Sequence, residues 1–166
     1  MALFALDHNY PAPIIERATP YLSGVELAFI GEIDSRLPEF DDWELLLALH
    51  HHSREWDGLI SNDTSMLDQE RELAVLGYTH LTLVAPVAAG HDPIRSTGLV
   101  LAHIENIASQ TTPRKPQVWR LGSRTGRGQH PDRFIERLAA KADLDPMDLR
   151  KEAMPSKAVL QRTPLA

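Results

Sequence analysis

Three aspartates occupy positions from which they could act together on a phosphodiester. Asp7 ends the apolar run 3–6, Asp63 ends the short stretch 58–63, and Asp42 begins the segment that leads to that stretch. Carboxylates that share a site raise one another's pKa unless a cation neutralises them. Oxygen ligands of this kind select Mg²⁺ or Mn²⁺, which can activate a water and stabilise charge on a phosphodiester. The pattern therefore favours a metal-dependent phosphodiesterase.

The elements that must position these aspartates alternate along the first two thirds of the chain. Apolar runs predict strands at 3–6, 25–31, 58–63, 79–86 and 118–121. Amphipathic segments predict helices at 12–19, from Asp41 or Asp42 onwards, at 65–77 with Gly77 as C-cap, and at 94–109, while 32–41 is predicted to be a loop. This alternation predicts an α/β fold with a mainly parallel sheet covered on both faces.

In a parallel sheet, ligands bind beyond the carboxyl ends of the strands. Asp7 and Asp63 both belong at that edge, and the helix that begins near Asp42 can start there too. The same positions also suit ordinary turn formers and helix caps. The sequence alone therefore leaves open whether the three carboxylates converge.

The charge of the chain is unevenly distributed. Residues 1–108 contain 5 Lys or Arg and 17 Asp or Glu, whereas residues 109–166 contain 12 and 6 respectively. An acidic body with a basic tail is typical of proteins that bind nucleic acid, although the tail could equally dock on the body or on a partner. Within the Arg- and Gly-rich segment 120–130, we name Arg120, Arg124 and Arg127 as candidate nucleic-acid contacts.

Several function classes are disfavoured. The chain has no cysteine, which excludes disulfides, thiolate metal sites and cysteine nucleophiles. No apolar run approaches the roughly 20 residues of a membrane span, and the first residues lack the basic region of a secretory signal, so we expect a cytoplasmic protein. The run His50-His51-His52 cannot converge on one ion, because adjacent helical residues point about 100° apart; a solvated helix end is the expected structure.

Three motifs taken together resemble a known family. They are F-A-L-D-H-N-Y-P at 4–11, D-x-x-L-x-x-x-L at 42–49, and G-L-I-S-N-D at 58–63. Their order and spacing over residues 2–122 resemble the PIN-like domain superfamily, the fold of VapC-type toxin nucleases. The resemblance implies a three-layer α/β/α sandwich, a Mg²⁺ or Mn²⁺ site and cleavage of RNA by a metal-activated water.

The resemblance also assigns roles to individual residues. Asp7, Asp42 and Asp63 match the metal-binding acids, with Asp41 as a substitute for Asp42, and Asn9 matches an asparagine that orients Asp7 or a water. Many members carry a further acid two residues after the third, where this chain has Ser65; Asp68 is a possible replacement. That departure puts a second metal ion in doubt, and with it the activity.

The sequence thus predicts a PIN-like domain over 1–122 and a basic C-terminal extension over 123–166 that is partly helical or flexible. The leading hypothesis is a ribonuclease that uses Mg²⁺ or Mn²⁺, with RNA as substrate and an antitoxin protein as a candidate partner. The alternative is an inactive PIN-like module that binds nucleic acid or a protein. A third hypothesis makes the extension an oligomer interface, which leaves a homodimer open.

Overall fold

Five short segments form one parallel sheet in the computed structural model, which describes residues 1–7, 9–90, 92–122 and 126–165. The strands are β1 (Ala2–Leu6), β2 (Val25–Phe29), β3 (Gly58–Ile60), β4 (Thr82–Ala85) and β5 (Gln117–Arg120). They lie in the order β2-β1-β3-β4-β5, and every neighbouring pair is parallel. The prediction of an α/β fold with a mainly parallel sheet is therefore confirmed.

Helices connect the strands and continue into the C-terminal part of the chain. They are α1 (Ala12–Ala18), α2 (Ile30–Ile33), α3 (Asp42–His50), α4 (Glu70–Tyr78), α5 (Pro93–Ala108), α6 (Asp132–Ala142), α7 (Pro146–Ala153) and α8 (Lys157–Leu160). The longest, α5, has 16 residues. Among the described helices, none combines the length and the apolar character that crossing a membrane requires.

Alternating side chains along the strands build a separate core on each face of the sheet. Along β1, Ala5 joins the core that contains Leu46 and Leu73, whereas Phe4 and Leu6 join the opposite core. The second core also contains residues of α1 and α5, namely Ile15, Val100, Ile104 and Ile107. Both faces are thus covered by helices, an arrangement consistent with three layers.

Several details differ from the sequence-based expectation. The predicted strand 25–31 ends at Phe29, where α2 follows, and the predicted helix 65–77 is divided into a 3₁₀ helix (Thr64–Asp68) and α4. The segment 32–41 was expected to be a loop, yet it contains the end of α2 and a 3₁₀ turn at Leu37–Glu39. Gly77 was expected to cap its helix, but it lies inside α4, which ends one residue later. The N–H of Thr79 donates to the carbonyls of Val75 and Leu76, so helical hydrogen bonding extends past the glycine.

The C-terminal segment packs against the rest of the molecule. Phe134 and Ile135 of α6 and Leu160 of α8 are buried in the core that contains Leu46. Asp145 caps α7 by accepting from the N–H groups of Met147 and Asp148. The described part of 123–166 thus contains the helices α6, α7 and α8. Their docking brings cationic side chains of the basic segment to the edge of the sheet.

Candidate functional site

Asp7 is fixed at the carboxyl end of β1. The residue is only 8% exposed, and its carboxylate accepts hydrogen bonds from three groups among the described residues. The N–H of Asn9 reaches Oδ1 at 3.0 Å, and the N–H of Asn62 reaches Oδ2 at 2.7 Å. The Ser61 hydroxyl lies 3.2 Å from the same Oδ2. Loops that follow β1 and β3 therefore hold this carboxylate in one orientation.

The strand order explains why this edge is suited to a ligand. From β1 the chain passes first to β2 on one side of it, and later to β3 on the other side. Crossovers that leave in opposite directions open a crevice between neighbouring strands, and ligands of open α/β sheets bind there. Asp7 follows β1 and Asp63 lies three residues after β3, so both aspartates border this crevice.

Asp42 is the first residue of α3 and is half-buried at the same edge. Its pKa is raised from 3.8 to about 6, first by burial and then by the negative charge of Asp63. Glu72, Asp7 and Asp41 raise it further. A helix N-terminus by itself favours a negative charge, so burial and neighbouring carboxylates outweigh the helix dipole here. Asp7, Asp42 and Asp63 thus interact electrostatically.

Glu72 belongs to this acidic cluster and was not predicted from the sequence. It lies in the first turn of α4 and contributes more than Asp7 to the raised pKa of Asp42. The helix α4 runs from the carboxyl edge back towards the start of β4. An acidic residue in its first turn was therefore the sequence feature that could have indicated Glu72 as a member of the cluster. Asp68, the replacement acid suggested by the sequence, is exposed and lies beside a neighbouring cleft.

Asp63 and Asn9 make mainly local contacts. Asp63 is exposed and caps the following 3₁₀ turn, with Oδ1 accepting from the N–H of Ser65 at 2.9 Å. The capping role left open by the sequence therefore applies to Asp63, although its charge also acts on Asp42. Asn9 is exposed and contacts Asp7 through its backbone N–H.

The acidic cluster fits a metal ion by its donor chemistry but is not a preassembled ligand set. In the part of the chain that the structure describes, no three His, Cys, Asp or Glu side chains are grouped so as to hold a metal ion. Mg²⁺ usually keeps several waters and takes only one or two protein carboxylates. The residues that could hold such an ion are Asp7, Asp42 and Asp63, with Glu72 nearby.

Tyr10 adds a buried hydroxyl close to this cluster. The residue is 4% exposed, and its hydroxyl has no hydrogen-bond partner among the described residues. Burial, and secondarily the negative charge of Asp7, raise its pKa far above the usual range. An unsatisfied buried polar group costs about 1–3 kcal/mol. The fold therefore retains, within electrostatic range of Asp7, a hydroxyl that has no hydrogen-bond partner among the described residues.

A cleft of about 560 Å³ opens beside Asp63 at the carboxyl edge. It is lined by Thr64, Leu67, Asp68, Val87, Arg120, Phe134, Arg137, Leu138, Ala140 and Lys141. Half of these residues belong to α6, which forms one wall. Arg120, predicted as a nucleic-acid contact, lies in this cleft at the end of β5. Arg127 is exposed elsewhere, and Arg124 lies outside the described residues.

The histidine run lies at the far end of α3 and does not converge on one point. His50 is half-buried, and its Nδ1 lies 3.0 Å from Nδ1 of His80. Burial lowers the pKa of His50 to about 4, and the charges of His80 and His51 add to this effect. His51 contacts the carbonyl of Leu160 at 2.7 Å. These rings link α3 to its neighbours, where the sequence predicted a solvated helix end.

Comparisons with known proteins identify no relative. No protein-family model matches the chain, and neither the curated proteins nor the solved structures that were searched give a significant match. The resemblance to PIN-like nucleases thus stays a prediction from three short motifs. The functional argument depends on the site itself.

Proposed function

We propose that this protein is a metal-dependent ribonuclease of PIN-like type that hydrolyses RNA phosphodiester bonds with Mg²⁺ or Mn²⁺. The observation that supports it most is the raised pKa of Asp42, to about 6, beside Asp63, Glu72 and Asp7. Acids held together at a strand-order switch raise their own electrostatic energy, and a bound cation would lower it. Strongly shifted carboxyls in a crevice are typical of functional sites.

The three aspartates would have different roles in holding the metal ion. Asp7, held by three donors, supplies a carboxylate of fixed orientation, and Asp42 and Asp63 add charge from two other elements. When bound, Mg²⁺ or Mn²⁺ lowers the pKa of water and offsets the charge that develops on the phosphodiester.

The test is cleavage of single-stranded RNA in Mg²⁺ or Mn²⁺ by the wild type, Asp7→Asn and Asp63→Asn. We expect each variant to lose about 100-fold or more in rate, because each removes a charge that holds the ion. Asp143→Asn is the matched control, since Asp143 is exposed, lies in the tail and has a left-handed backbone that asparagine tolerates. Equal rates for all four proteins would refute the proposal.

A second candidate function is binding without cleavage. It is favoured by the absence of a preassembled three-ligand group among the described residues and by Ser65 at the position of a further acid. Calorimetric titration with Mn²⁺ separates the two functions, because a folded protein that binds no Mn²⁺ at millimolar concentration is not the proposed enzyme.

The resemblance to VapC-type toxins supports an antitoxin protein as partner. An adjacent reading frame that encodes a small DNA-binding protein would favour this partner.

A further inference from the structure

The cleft beside Asp63 is lined by three cationic side chains and one carboxylate, a charge that suits a nucleic-acid strand. We propose that the phosphate backbone of a single-stranded RNA runs through this cleft, held by Arg120, Arg137 and Lys141. The inference deepens the proposed nuclease function and rests on it for the identity of the strand. Arg137 and Lys141 belong to α6, so the C-terminal segment would supply the larger part of the contact.

The cations of the cleft are available for an external anion. Within the described ranges, none of the three forms an ion pair, and all three are exposed. The Arg137 guanidinium carbon lies 5.1 Å from the centre of the Phe134 ring, which holds the head group in place while its N–H donors stay accessible. Asp68 is the one carboxylate in the lining, so the balance is positive.

The position of the cleft is as informative as its charge. Its lining begins at Thr64, the residue after Asp63, and continues past Val87 to Arg120 at the end of β5. A strand lying on the three cations would therefore extend towards the acidic cluster. Because residues 1–108 are strongly acidic, a polyanion needs such a local positive surface to approach the carboxylates at all.

The apolar part of the lining favours an unpaired strand over a duplex. The cleft is lined by Leu67, Val87, Phe134 and Leu138 as well as by the three cationic side chains. An exposed base can pack on apolar groups, whereas the bases of an A-form duplex stay stacked inside the helix. A lining that combines cationic and apolar groups matches a strand whose phosphates and bases are both accessible.

The experiment measures binding without metal, so that it does not depend on cleavage. A fluorescently labelled oligouridine of about 12 nucleotides is titrated in EDTA at salt concentrations from about 50 to 200 mM. We expect Arg137→Gln/Lys141→Gln to weaken binding by about 10–30-fold and to reduce the salt slope by about 1.4, which is two phosphate contacts on a single strand. Arg133→Gln/Lys151→Gln removes equal charge from exposed positions outside the cleft and should change affinity less than 3-fold.

The outcomes distinguish the cleft from the nuclease. Equal effects of the two double variants, or tight binding of a duplex of the same length, would overturn the cleft proposal even if the protein cleaves RNA. Absence of metal-free binding at the lowest salt would overturn it as well. Binding that is selectively lost in the cleft variant supports the proposal, and would do so even if no metal ion produced cleavage and the nuclease function failed.

Discussion

Acidic side chains at the two ends of β3 differ in whether a cation is paired with them. At the amino end, buried Asp57 has Oδ1 3.1 Å from an Arg114 nitrogen, and its Oδ2 accepts from the N–H of Leu3 at 2.8 Å. At the carboxyl end, Asp42 and Asp63 form no ion pair with any described residue, and their charges oppose one another. Asp57 is therefore paired with a cation within the fold, whereas Asp42 and Asp63 have no cationic partner among the described residues.

The contrast shows that this fold can pair a buried aspartate with a cation. One arginine from the segment before β5 is enough at Asp57. No described cation performs that role for Asp42, although the basic tail packs nearby and supplies Arg137 and Lys141 to the adjacent cleft. At this edge the carboxylates near Asp42 lie apart from the cations of the cleft. This separation favours a metal ion at the carboxylates and a polyanion in the adjacent cleft.

The largest effect that the comparison predicts is at the amino end, where the aspartate is paired with a cation. Asp57→Ala removes the partner of Arg114 and the acceptor of the Leu3 N–H, so we expect a loss of about 2–3 kcal/mol in the free energy of unfolding. Urea denaturation measures the loss, and Asp68→Ala, an exposed aspartate, is the control. A loss below about 0.5 kcal/mol for Asp57→Ala would mean that the pair does not stabilise the fold.

The opposite sign is predicted at the carboxyl end. Asp42→Asn removes a charge that burial and four carboxylates disfavour, so we expect the metal-free protein at pH 7 to gain on the order of 1 kcal/mol. The melting temperature should rise by about 2–4 °C. The same variant should lose Mn²⁺ binding. A lower melting temperature would show that the Asp42 charge is compensated in the fold.

The pH dependence of stability sharpens that prediction. The pKa of Asp42 is raised from 3.8 to about 6, so between these values the folded state binds more protons than the unfolded state. The contribution of Asp42 to the free energy of unfolding therefore falls as pH rises from about 4 to about 6, and it is constant above that range. Without metal, the melting temperature of the wild type should fall over this pH range, and the fall should be smaller in Asp42→Asn. Identical pH profiles would contradict the raised pKa.

The smallest effect concerns the hydroxyl without a described partner. Tyr10→Phe removes a buried polar atom that gains no hydrogen bond within the described residues, so stability should stay constant or rise by up to about 1 kcal/mol. Tyr21→Phe is the matched control, because Tyr21 is 87% exposed. If Tyr10→Phe instead lost 1 kcal/mol or more in urea denaturation, the hydroxyl would have a partner that the structure does not show.

The sequence predicted the residues whose positions follow from local structure. The apolar run 3–6 fixed the end of β1, whereas the run 58–63 located β3 but placed its end at Asp63, three residues beyond Ile60. A shared sheet edge for Asp7 and Asp63 then followed from parallel topology. Asp42 was included because the helix that leads to β3 can begin at the carboxyl edge. These inferences need only chain direction and strand ends, which short-range patterns specify.

The sequence did not predict contacts that depend on how helices pack. Glu72 was missed because its approach to Asp42 depends on the rotation of α4 about its axis, which side-chain packing sets. Arg137 and Lys141 were missed because nothing local shows which face of the sheet α6 covers. Arg120 was named as a candidate nucleic-acid contact, which stays a prediction. The structure places it at the end of β5, and its neighbours in the cleft come from a segment that the sequence left as an extension.

Calorimetric titration of the metal-free protein with Mn²⁺ tests the central claim most directly. The account predicts that wild type binds Mn²⁺ below millimolar concentration, that Asp7→Asn abolishes binding, and that Asp57→Asn retains it as far as the variant stays folded. Absence of binding by folded wild type, or equal binding by all three proteins, would show that the acidic edge beside β1 and β3 is not a metal site.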